Sequence, residues 1–173
     1  MVAIIETERL HLRPLARADS PAIFRMRSDP EIMRFWDWPA VKDPGSVAET
    51  VSGQVGEMEA GRAIYWAVCL EDAPIGCCDL SEIERHHGRA ELGYIFGRPY
   101  WGNGFALEAM KAVVAYGFNE LGLMRLSARI HSRNEASRRL LTRLGFTYEG
   151  TLRAHVLRDG ARRDCQIYGM LRR

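Results

Sequence analysis

The stretch YWGNGFA, Tyr100 to Ala106, sets two glycines and an asparagine directly before a run of helical periodicity. The first amides of a helix have no partner within it and carry the positive end of the dipole, so such a start either turns the chain or cradles an anion. Two other phosphate loops are excluded, because no Gly-Lys-Ser/Thr follows and Leu107 stands where a GxGxxG pattern needs its third glycine. What remains is a backbone that Gly102, Gly104 and Ala106 leave uncrowded enough for a phosphate to reach several amides. Further along, Asn134 precedes EASRRLLTRL and suits a helix N-cap, and Ser137, one turn on, shares its side. Glu91 lies in a strand-like run, where a charge solubilises an edge. His86 and His87 sit in a polar loop without partners, which predicts no metal.

These residues need elements to hold them. RLHLR, Arg9 to Arg13, alternates as a half-buried strand that Pro14 ends. Ser20 with Pro21, and again Asp29 with Pro30, signal two short helices, and Val47, Val51, Val55 and Met58 mark a third, amphipathic one. AIYWAVCL, IGCCDLSEI and AELGYIF then read as three strands in an antiparallel meander. The main helix runs from Phe105 to Leu121, burying Ala109, Met110, Val113, Val114 and Phe118, and Gly122 stops it. Strand MRLSARI, a helix from Asn134 to Leu144 stopped by Gly145, the segment FTYEG and a strand around Asp164 to Leu171 complete the chain. The order β-α-α-α-β-β-β-α-β-α-β-β predicts a single α/β domain over residues 1–173 with a mixed, mostly antiparallel central sheet flanked by helices.

Composition narrows the function classes. Of 173 residues 47% are hydrophobic and 27% charged, enough for one sizeable core, and a net charge of +2 spread along the chain argues against nucleic acid as a partner. Cys69, Cys77, Cys78 and Cys165 have neither CxxC spacing nor paired histidines, so no zinc site or disulfide frame is expected, which fits a reducing cytoplasm. No stretch approaches the ~18 apolar residues of a membrane helix, and the N-terminus lacks a long apolar core, so a soluble, unprocessed, cytoplasmic chain is expected.

The run from Glu91 to Arg153, with ETERLHLRPL at the start and YWGNGFALEA, NEASRRLL and LGFTYEGTLR within it, resembles the GNAT superfamily of N-acetyltransferases, in the branch of the bacterial ribosomal-protein N-terminal (alanine) acetyltransferases. The resemblance implies acetyl-CoA as co-substrate, a CoA cleft where two neighbouring strands splay apart, and transfer to a primary amine by direct attack without a metal. It carries pyrophosphate binding onto Arg98, Trp101, Gly102, Asn103, Gly104, Phe105 and Ala106, with Trp101 where the family pattern has Gln or Arg. It places Ile95 and Phe96 amides at the thioester, Asn134 on the pantetheine arm, and Ser137 as donor to the CoA sulfur, since Leu141 stands where many relatives have a tyrosine. It makes Glu91, directly or through water, the base for the amine, and it makes Trp36 and Trp38 the wall of an acceptor groove; by composition alone they are equally core. Arg133, Arg138, Arg139 and Arg143 form either a solvated helix face or, in part, a contact to the CoA 3′-phosphate.

The acceptor the resemblance suggests is a protein N-terminal α-amine, with a small-molecule amine (polyamine, amino acid or antibiotic) as the alternative, and a homodimer is compatible with it. Two readings from other classes use the same motifs. A silent acyl-CoA sensor would bind CoA and release no thiol, and an RNA- or ribosome-binding module would keep salt-dependent RNA binding after loss of Gly104.

Overall fold

The computed structural model describes residues 2–173. Eight strands form one sheet: β1 (Ile5–Glu6), β2 (Leu10–Pro14), β3 (Ile64–Leu70), β4 (Ala73–Glu84), β5 (Arg89–Phe96), β6 (Arg125–His131), β7 (Thr147–Arg158) and β8 (Ala161–Leu171). Their spatial order is β1-β2-β3-β4-β5-β6-β8-β7, and every neighbouring pair is antiparallel except β5 with β6. Four helices cover the sheet: α1 (Ser20–Arg27), α2 (Pro44–Glu59), α3 (Phe105–Asn119) and α4 (Glu135–Leu144). The expected α/β class with a mixed, mostly antiparallel sheet is the fold observed.

Strand alternation divides the apolar side chains between two faces. One face of the meander, with Trp66, Val68, Cys78, Leu80, Leu92 and Phe96, packs on Ala109, Met110 and Val113 of α3 and Leu141 of α4. The other, with Tyr65, Ala67, Cys77 and Ile95, packs on Ile23 and Met26 of α1 and Val47 and Val51 of α2. All four cysteines are buried free thiols. Among the described residues no helix is long and apolar enough to cross a membrane.

Four sequence expectations need correction. The second short helix signalled at Asp29 is only a 3-10 turn, Met33–Phe35. Asp29 does cap the amide of Glu31 at 2.9 Å, but Trp36, which donates to the Met33 carbonyl, is already extended and ends the turn, and Arg158 binds the carbonyls of Met33, Trp36 and Trp38. The C-terminal strands are far longer than FTYEG and Asp164 to Leu171, because β7 and β8 form a hairpin reaching Arg158 and Ala161. Residues 147–155 of β7 are exposed or half-buried throughout, and register shifts after Tyr148 and after Leu152 interrupt the pairing, so this stretch lacks the alternation that marks a strand. Finally, β1 is an added two-residue strand, and α3 ends at Asn119 rather than Leu121.

Candidate functional site

The helix starts differ in how their first amides are satisfied. Asp43 caps α2 through Gly45 and Ser46 amides at 3.1 and 2.9 Å, and Asn134 caps α4 by accepting from the Ser137 amide at 3.1 Å. Gly104, with φ +80°, begins α3 without any side-chain cap, and Gly102 also lies in the left-handed region at φ +79°. The loop before it is braced from outside: Trp101 donates its indole N–H to the Phe96 carbonyl at 2.9 Å, and Asn103 donates to the Trp101 carbonyl at 3.1 Å. Arg9, whose part the sequence did not announce, donates to the Asn103 carbonyl at 3.0 Å, pairs with Glu108 at 2.7 Å and lies over the Phe105 ring. Arg98 pairs with Asp29 at 3.0 Å, tying the loop to the end of α1. The result is a fixed, solvent-facing turn with the uncapped amides of α3 behind it, the arrangement that accepts a phosphate.

Next to that turn the sheet opens. Strands β5 and β6 pair only at Arg89, Ala90 and Glu91 with Arg125, Leu126 and Ser127, and beyond Glu91 the two run on without pairing. Gly97 donates to the Ile75 carbonyl, which fixes the alternation of β5: Ile95 pairs with Cys77 and turns its amide to β4, whereas the backbone of Phe96 faces the gap. Of the two strand positions named for the thioester, only Phe96 therefore offers its amide there.

On the α1–α2 side, Glu91 sits half-buried at the apex of the gap, and its carboxyl is pushed up by burial and by Glu82, with Arg129 opposing. Asp79 pairs with Gly93, and a Cβ on Gly93 would stand 2.4 Å from the Asp79 carboxylate, so this carboxylate lies across the bare glycine toward the gap. Burial pushes Asp79 up to about 7, with Glu91 and Glu57 adding to it and Ser81 opposing. Tyr65, beside Asp79 on β3, donates to Glu57 at 3.0 Å. Sequence reasoning missed Asp79, and a glycine in mid-strand without positive φ was the available signal.

On the α3–α4 side, the half-buried Ser137 stands on the first turn of α4, and beside it lies the Tyr94 phenol, which sequence reasoning also passed over. Asn134 uses its side-chain oxygen as the cap and keeps its amide N–H groups for another partner. Arg138 pairs with Glu135, and Arg133, Arg139 and Arg143 carry no ion pair among the described residues.

The loop Met33 to Trp38 is clamped to the C-terminal hairpin. Arg158, buried on β7, donates to the carbonyls of Met33, Trp36 and Trp38 at 3.1, 2.6 and 3.0 Å. Arg129 and His131 of β6 both hold Asp37, at 2.8 and 2.9 Å, and although burial pushes Asp37 up they keep its carboxyl below the ordinary value. Trp36 is half-buried against the α1–α2 core, while Trp38 is 70% exposed. Beside this loop a cavity of about 280 Å³ is lined by Phe35, His131, Arg133, Arg162, Arg163 and Asp164. Among the described residues no group of His, Cys, Asp or Glu is placed to hold a metal ion.

Residues 9–147 match the Acetyltransferase (GNAT) domain family. The N-acetyltransferase YoaA of Bacillus subtilis is 34% identical over 174 residues, covering 99% of this chain and 98% of that protein. Spermidine N(1)-acetyltransferase of Escherichia coli K12 is 28% identical over 153 residues, 88% of this chain and 81% of that one. The structure of RimL, a ribosomal L7/L12 alpha-N-protein acetyltransferase in complex with coenzyme A, superposes with a TM-score of 0.90 at 21% identity over 98% of each chain, a likeness of fold.

Proposed function

The chain belongs to the GNAT acetyltransferase family, and from that premise we propose that it transfers acetyl from acetyl-CoA to a protein N-terminal α-amine by direct attack. The observation that carries this reading is the parting of β5 from β6, with carboxylates on one face of the gap and a hydroxyl on the other. The uncapped start of α3 fits the CoA pyrophosphate, Asn134 fits an amide of the pantetheine arm, and the thioester then lies in the gap, within reach of the Phe96 amide.

The amine enters from the α1–α2 face past the clamped loop. Its nitrogen forms a bond to the carbonyl carbon, its proton passes to the Glu91–Asp79 pair directly or through water, and the C–S electron pair stays on sulfur, where Ser137 donates a hydrogen bond. A carboxyl held near the working pH is suited to taking such a proton. An α-amine of pKa ~8 is about one-tenth neutral at pH 7, whereas a lysine near ~10.4 is neutral in fewer than one molecule in a thousand, so a carboxylate base suffices for the former.

A second reading has its own support. Glu57, Asp79, Glu82 and Glu91 give the acceptor side a negative field, and spermidine acetyltransferase is among the relatives, so a small cationic polyamine is the competing acceptor. Thiol release from acetyl-CoA, measured across N-terminal peptides, lysine peptides and polyamines, separates the two. Turnover highest on peptide α-amines is the expected result. Turnover on spermidine with none on peptides assigns the small-molecule reading instead.

A further inference from the structure

The hydroxyl of Tyr94 is closed off from solvent and has no hydrogen-bond partner among the described residues. A buried polar group left this way is unfavourable, and native structures rarely keep one without a reason such as a ligand that completes it. Tyr94 follows Gly93 on β5, past the last residue paired with β6, and its ring packs with the core under α3 and α4. The Ser137 hydroxyl lies close to its phenol but outside hydrogen-bond geometry. Two hydroxyls from different elements thus stand together on one side of the gap, and the two carboxylates stand on the other.

We propose that the Tyr94 phenol joins the Ser137 hydroxyl in binding the departing thiolate of CoA, the two donating to sulfur from the α3–α4 side while the amine enters from the α1–α2 side. The inference rests on the acetyl-CoA reading above and adds a second donor to it. In the transfer the amine lone pair forms the C–N bond and the C–S pair moves to sulfur. The amine proton leaves toward Glu91 and Asp79, and the thiolate takes a proton from water after it departs. Tyr94 keeps its own proton throughout, because burial pushes the phenol up to about 12, against a slight opposing pull from Ser137, whereas a thiol titrates near ~8.5. It acts as a fixed dipole aimed at the charge that develops on sulfur.

The test compares two probes, coenzyme A and desulfo-CoA, by calorimetric titration of the wild-type chain and of Tyr94→Phe between pH 6 and pH 9. Wild-type preference for CoA over desulfo-CoA should grow as the thiol ionises, and Tyr94→Phe should lose roughly tenfold of that preference at pH 9 with desulfo-CoA affinity unchanged. Its kcat should fall by about tenfold at constant acetyl-CoA affinity. Equal loss of both probes, or no loss of either, overturns the inference. Removing a hydroxyl that has no protein partner should not lower Tm. If Tyr94→Phe does not fold, Ser137→Ala is titrated the same way, and an undiminished preference for CoA there overturns the paired-donor arrangement. Wild-type protein that binds neither probe overturns the acetyl-CoA reading itself.

Discussion

Asp79 and Gly93 show how one missing side chain sets the chemistry of another residue. Any Cβ at position 93 would collide with the Asp79 carboxylate, so the glycine lets a half-buried acid reach the gap beside Glu91. That placement has a pH signature. An Asp in the unfolded chain titrates near ~3.9, and in the folded protein this one is raised to about 7, so the folded state binds the proton more tightly. Stability should therefore fall as pH climbs from about 4 to about 7 and level off above. Asp79→Asn should remove that fall and gain on wild type between pH 5 and pH 8, by at most ~4 kcal/mol at ~1.4 per pKa unit. Urea midpoints at the two pH values check it, and an equal difference at both would contradict the buried-acid assignment. The family resemblance singled out Glu91 through its place before the glycine loop, and the structure sets it at the apex of the gap. Asp79 and Tyr94 were not legible in the sequence, because within IGCCDLSEI and AELGYIF they have the spacing of ordinary strand positions, and only the register shows what each faces.

Among the elements, those with start and stop residues were the legible ones. Pro21 in α1, Gly104 before α3, and Asn134 and Gly145 around α4 all mark the boundaries their chemistry predicts. The elements misjudged are those shaped by distant partners. The loop Met33 to Trp38 holds only one 3-10 turn, and a guanidinium more than a hundred residues away collects three of its carbonyls, a contact with no local trace. The parting of β5 and β6 is likewise a relation between strands. If the clamp positions the acceptor wall, Arg158→Met should leave the Trp36 and Trp38 carbonyls without their donor, destabilise the fold by about 2–4 kcal/mol and raise the acceptor KM about tenfold. The acetyl-CoA KM should stay within twofold, since the α3 turn is braced separately by Arg9 and Trp101. Steady-state kinetics with each substrate varied in turn checks this, and equal rises in both KM values would contradict it.

At the scale of the molecule, one sheet with a separate apolar core on each face provides two independent approaches to a single opening. In the proposed reading the donor comes from the α3–α4 side and the acceptor from the α1–α2 side, so that both occupy the gap at once and no cysteine need carry the acetyl group. The four thiols agree with this: all are buried, and burial raises the pKa of each, which keeps them from acting as thiolate nucleophiles. Fold and donor were legible because they depend on ordered motifs along the chain. The acceptor was not, because the wall proposed for it is assembled from β3, β4, β6, α2 and the clamped loop, none of which carries a motif. Two-substrate initial-rate kinetics, with acetyl-CoA varied at several fixed concentrations of an N-terminal peptide, tests direct attack most plainly. Intersecting double-reciprocal lines, with one free thiol released per acetylated α-amine, are the predicted result. Parallel lines, or acetyl left on the protein in the absence of peptide, would contradict it.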